Sequence, residues 1–170
     1  MIDPFHAAPG FDDPIGVLRA CHRRMERQLV TLSRLCRHLP ENHADADART
    51  AAAAIMRYFD TAAVNHHADE EATLLPRLLS ARPDLAALCS QIESDHVALG
   101  ERWLRLRPRL AAVGVGRSGH LPIREVEAFC AGYTAHIAKE ETSLLPHAQE
   151  ALDKTVLAEI GMEMAARRNL

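Results

Sequence analysis

The sequence predicts an all-α protein: an antiparallel up-down four-helix bundle followed by a short extra C-terminal helix. Three observations carry this prediction. Long stretches of Ala, Leu, Arg and Glu favour helix. No segment alternates Val, Ile or Thr as a half-buried strand does. Breaks at 40–47 (PENHADAD), 80–84 (SARPD) and 113–122 (VGVGRSGHLP) cut the apolar pattern into four periodic runs. Connections this short make successive helices antiparallel neighbours. A chain of 170 residues suits one domain with a sizeable core.

Taken in order, residues 1–12 read as an arm that Phe5 and Phe11 could pack against the bundle. The bundle itself occupies 13–150, and 151–170 forms the C-terminal helix. Helix one, 13–39, opens with Asp13 before Pro14, a cap followed by a first-turn proline. Its inward stripe is Ile15, Leu18, His22, Met25, Leu29, Leu32, Cys36 and Leu39, the three–four spacing of a left-handed bundle seam. Helix two, 46–79, turns in Ile55, Phe59, Ala62, His66, Glu70 and Leu74. Helix three, 83–113, starts at Pro83 and turns in Leu85, Leu88, Ile92, His96, Leu99, Trp103, Leu106 and Leu110. Helix four, 121–148, starts beside Pro122 and turns in Val126, Phe129, Tyr133, His136, Glu140 and Leu144. The run 153–167 is the fifth helix.

Composition removes several function classes. A net charge of −3 and a pI near 6.4 argue against a phosphate-binding surface, and aromatics at 4% against a base-stacking platform, so no nucleic-acid partner is expected. No apolar run approaches the ~18 residues of a membrane span, and the N-terminus does not read as a signal peptide. Four cysteines without a CxxC pair suit a reducing cytoplasm better than a disulfide scaffold. The unusual count is ten histidines.

Each stripe is interrupted by one histidine, and two stripes add a glutamate four residues later. Burying an unpaired carboxylate is costly enough that it shifts its pKa or finds a cation. At ~1.5 Å per residue, His22, His66, His96 and His136 lie at similar heights, roughly 12–20 Å from the same end of the bundle. The sequence also repeats itself: HHADEEATLLP from His66 is answered by HIAKEETSLLP from His136. Two helix pairs, each supplying His and then His-x-x-x-Glu, make a two-fold-like site for two metal ions. Four imidazoles and two carboxylates suit iron, zinc or manganese rather than calcium or magnesium. His22 and His66 would take one ion, His96 and His136 the other, with Glu70 and Glu140 bridging. His67 also begins a His-x-x-x-Glu pair. The repeat and the stripe favour His66 with Glu70, leaving His67, Glu71 and Glu141 as a solvated face or as partners of the ligands. Asp95 reads the same way. His6, His38, His43, His120 and His147 lie on the arm, loops or helix ends. Cys21 reads as a small buried residue, and Arg167–Arg168 as a weak partner-surface signal.

The order His, HHxxEExxLLP, DH, HxxxEExxLLP resembles the hemerythrin-like (HHE cation-binding) domain family over roughly 13–148. The resemblance implies two non-haem iron ions bridged by carboxylates, with zinc or manganese able to replace iron in a recombinant sample. It implies His22, His66, Glu70, His96, His136 and Glu140 as ligands. It also implies oxygen, peroxide or nitric oxide as the small ligand. Carrier, di-iron peroxidase or nitric-oxide-handling enzyme, and iron or redox sensor acting through a protein partner all need these same residues. One departure stands out. Oxygen-carrying hemerythrins have a second histidine one turn after the helix-three ligand, where this chain has Gly100. Glu26, Glu101, Tyr58 and Tyr133 are the candidates to replace it, with Glu26 ranked first.

Overall fold

A computed structural model describes residues 9–170. Phe5 and His6 lie outside them. Five helices and no strand are present among the described residues: α1 (Pro14–Asn42), α2 (46–81), α3 (Ala86–Gly114, entered through a 3-10 turn at Pro83–Leu85), α4 (123–151) and α5 (Lys154–Ala166). Asp13, Asp45 and Asp153 cap α1, α2 and α5 by accepting hydrogen bonds from Gly16, Ala48 and Val156 N–H at 2.8–2.9 Å. Helix α1 runs three residues beyond the expected stop, carrying Pro40 in its last turn until His43 closes it at φ 55. In the bundle α1 packs on α2 and α4, and α3 on the same two. No described helix is long and apolar enough to cross a membrane.

Helices α2 and α4 are not regular. π-turns interrupt α2 at Tyr58–Ala62 and Glu70–Leu74 and α4 at Glu140–Leu144. The inward residues explain where they fall. His66, Glu70, Leu74 and Leu78 recur every fourth residue, as do His136, Glu140, Leu144 and Ala148, and all are buried. An α-helix turns once per 3.6 residues, so each step of four overshoots by about 40°. A wider i→i+5 turn winds that overshoot back and keeps the row facing inward. The first π-turn also corrects the expected stripe: Ala63, not Ala62, is the buried residue between Phe59 and His66.

The core is split. One apolar cluster holds Met25 and beyond on α1, α2 up to Ala63, α3 from Leu99 and α4 up to Ile137. The other holds Ile15 to Cys21, Leu74 to Leu78, Cys89, Ile92, Leu144 to Leu152 and two residues of α5. Between them lies a polar layer cut through all four helices. Phe59, Trp103, Phe129 and Tyr133 roof this layer, with ring centroids 5.0–5.6 Å apart.

Helix α5 packs along α1 and the second π-turn of α2. Arg167 and Arg168 both donate to the buried carboxylate of Asp69, Arg168 at 2.6 Å. These two arginines are therefore engaged within the chain and do not form the free partner surface that the sequence suggests. Phe11 packs on the cluster that includes α5 and lies under the Arg168 guanidinium, 5.5 Å from its ring centre. Gly161 allows this approach, because a Cβ there would run into the Phe11 carbonyl.

Candidate metal centre

The polar layer contains His22, His66, Glu70, His96, His136 and Glu140, none more than 6% exposed. His22 and His66 face each other at 3.2 Å between Nε2 atoms, and His96 and His136 at 3.1 Å. The two carboxylates span the halves. Glu70 places Oε1 3.3 Å from His66 and Oε2 3.3 Å from His96. Glu140 places Oε2 3.0 Å from His22 and Oε1 3.0 Å from His136. Two overlapping donor groups result, His22–His66–Glu70–Glu140 and Glu70–His96–His136–Glu140, each with its ligand atoms within 4.8 Å of one another.

Around these residues a further set of acids holds the rings. His22 Nδ1 pairs with Glu141 at 2.6 Å, and His96 Nδ1 with Glu71 at 2.7 Å, across the bundle in both cases. His136 Nδ1 lies 3.4 Å from Asp95, which Lys139 also contacts at 2.6 Å. Glu71, Glu141 and Asp95 are thus partners of the ligand rings, one of the two readings their sequence positions allowed. Each leaves the opposite nitrogen, Nε2, facing the centre of the layer.

Burial opposes charge on His22 and His96, but the Glu140 and Glu70 carboxylates prevail and lift them to about 9 and about 10. Burial, with repulsion from Glu140, pushes Glu70 up to about 8. Burial works against Glu140 as well, yet His136, His22 and His96 hold it well below the usual carboxylate range. Burial forces His66 down.

The residues fit a cation. All four carboxylate oxygens of Glu70 and Glu140 are buried, lie close to imidazole nitrogens, and accept no hydrogen bond from any of them. Buried carboxylates without donors must either take up a proton or meet a positive charge, and a cation between the two histidine pairs would meet both of them. The mixed nitrogen and oxygen donor set suits iron, zinc or manganese.

The candidates for the place opposite Gly100 fare differently. Glu26 and Glu101 are exposed and take no part in the layer. Helix position put Glu26 one turn beyond His22, but its side chain sits on the outer face among Arg23 and Arg27. Tyr58 donates its hydroxyl to the Cys21 carbonyl oxygen at 3.2 Å. Tyr133 is buried in the aromatic roof. Gly100 itself is exposed, and a Cβ there would meet nothing within 4 Å. The residue missed is His67, whose nitrogen groups with those of His96 and His136. The solvated-face reading of His67 fails because its ring lies over His96, with centroids 3.9 Å apart and planes 11° apart. Burial and the neighbouring imidazoles push it down to about 3. The signal for it was the second histidine of the doubled HH, which the other half of the repeat replaces with Ile137.

The family model for the Hemerythrin HHE cation binding domain matches residues 13–148. An uncharacterized protein of Haemophilus influenzae is 31% identical over 160 residues, covering 94% of this chain and 92% of its own length.

Proposed function

The chain belongs to the hemerythrin HHE cation-binding family, and we propose that it is a non-haem di-iron protein taking oxygen, or a related small oxidant, at a carboxylate-bridged metal pair. The observation that carries this reading is the set of four buried carboxylate oxygens lacking hydrogen-bond donors, spread between two histidine pairs. In this reading His22 and His66 would hold one ion and His96 and His136 the other, with Glu70 and Glu140 shared between them. Iron, when bound, supplies one-electron chemistry with oxygen, peroxide or nitric oxide.

The protein's own residues do the rest. Glu141 and Glu71 accept hydrogen bonds from the Nδ1–H groups of His22 and His96, an arrangement that fixes each tautomer and leaves Nε2 available as a ligand. The two apolar clusters seal the layer from both ends and strengthen every charge interaction within it. Phe59, Phe129 and Tyr133 pack an apolar roof over one side of the layer.

The test is anaerobic loading with ferrous iron, metal counting, and ultraviolet–visible spectra before and after oxygen, peroxide or nitric oxide. Two irons per chain with a spectral change on oxygen are expected. Rapid peroxide or nitric oxide consumption with no persistent oxygen-dependent change would move the reading to an enzyme. Failure to bind more than one ion would refute the pair.

A further inference from the structure

We propose that His67 is a fifth imidazole of the centre, directed at the ion of the His96–His136 half, so that the two halves carry unequal numbers of nitrogen donors. This inference rests on the metal-pair reading above and adds a ligand that the sequence repeat does not supply.

Three observations carry it. The first is position: a ring nitrogen of His67 lies within 4.8 Å of ligand atoms of both His96 and His136. The second is orientation. The His67 ring is stacked on His96 at 3.9 Å, stands edge-on to His136 at 5.9 Å, and has the Tyr133 ring nearly parallel on it at 6.0 Å. The third is an unmet need: His67 Nε2 is buried and has no hydrogen-bond partner. A ring that merely packed would leave that nitrogen buried and unsatisfied, which is costly. A metal ion would satisfy it.

The pseudo-two-fold of the repeat makes the asymmetry specific. Glu71 and Glu141 occupy matching roles, each pairing with the Nδ1 of a histidine across the bundle. His67 has no such counterpart, because the matching residue is Ile137, buried at 4% exposure in the apolar cluster. The His96–His136 half therefore has three imidazoles and two carboxylate oxygens within reach, and the His22–His66 half two and two.

The experiment compares wild type with His67→Ala and His67→Gln, all stripped of metal. Far-ultraviolet circular dichroism and melting of the stripped proteins first establish that the variants fold. Anaerobic titration with ferrous iron against a competing chelator then counts ions and ranks their affinities. Wild type is expected to bind two ions. Both variants are expected to lose at least about 100-fold in affinity for one of them, beyond the 10–100-fold typical of losing a ligand's hydrogen-bond partner. Free imidazole is expected to restore that ion in His67→Ala, as a purely packing role would not allow. If wild type binds two ions and both variants hold both as tightly, His67 is not a ligand while the metal pair stands. If wild type binds fewer than two, the metal-pair reading falls and this inference with it.

Discussion

The ion pair beneath the metal layer makes an uneven prediction about its two sides. Asp69 is one residue before Glu70, and its side chain is fully buried, while Arg167 and Arg168 keep 24% and 19% of theirs exposed. Asp69→Asn removes the charge but leaves a polar group of the same shape, and the two guanidiniums can turn to water. Losing charge-assisted hydrogen bonds on these terms costs about 1–2 kcal/mol. Arg167→Met with Arg168→Met leaves the opposite fault: a carboxylate that cannot reach solvent and has lost its donors. Removing one side of a buried pair in that way costs about 3–5 kcal/mol. For a chain of this size each kcal/mol shifts the melting temperature by roughly 2–4 °C. The asparagine variant is thus expected to melt a few degrees low and the double arginine variant roughly 10 °C low or more. Urea unfolding of metal-stripped protein measures both without interference from the centre. A second readout is metal retention, because α5 grips the π-turn that aims Glu70. An asparagine variant as unstable as the double arginine variant would refute the reasoning.

Metal should add directly to stability, since its ligands come from four helices. At a free concentration of 100 times Kd the gain is about 2.7 kcal/mol, so chelation is expected to lower the melting temperature by roughly 5–10 °C; unchanged melting would count against a metal-filled layer. Glu70→Ala and Glu140→Ala are expected to abolish the paired site, whereas Glu71→Ala and Glu141→Ala keep two ions at about 10–100-fold weaker affinity. Metal counts falling equally in all four variants would show that the bridging assignment is wrong. Asp60 accepts from Arg107 at 2.9 Å and Trp103 at 3.0 Å, and these partners hold its carboxyl below its ordinary value of 3.8. A depressed folded value stabilises above the unfolded one and is lost as pH falls through it. The stability gap between wild type and Asp60→Asn should therefore be constant near pH 6 and shrink below about pH 4; a gap that widens on acidification would contradict this.

Much of the site was legible because buried polar residues are informative where buried apolar ones are not. Leu29 or Leu106 says only that a helix has an inner face. His22 in the same row as Met25 says that something must compensate it, and four such histidines at one height say that the compensation is shared. The helices were legible for the same reason, from rows and breaks. Three features were not read. Asp69 and Arg167–Arg168 are nearly a hundred residues apart, and no local pattern links them. Glu26 was favoured on ideal helix geometry, which gives the direction of a Cβ but not which of two adjacent faces the neighbouring helices cover. The π-turns were implied by the every-fourth-residue rows at His66–Leu78 and His136–Ala148, which an uninterrupted α-helix would carry out of the core.

Those turns also explain how a repeated sequence yields unequal halves. The π-turns at Glu70–Leu74 and Glu140–Leu144 match across the repeat, and so do the buried glutamates that begin them. The π-turn at Tyr58–Ala62 has no counterpart in α4, whose corresponding stretch lies within the regular span Ile123–Lys139. It sits within nine residues upstream of His67, and a wider turn there resets the angle at which everything before it meets the core. Phe59 can then stay in the roof while His66 and His67 both turn toward the layer. In α4 the regular helix turns Ile137 into the apolar cluster instead. The repeat accounts for the two buried glutamates, and the local break in symmetry accounts for the imidazole of His67 beside the layer. A difference between the two halves in ligand affinity should therefore follow residue 67 and its upstream π-turn rather than Gly100, which is exposed and where a Cβ would meet nothing within 4 Å.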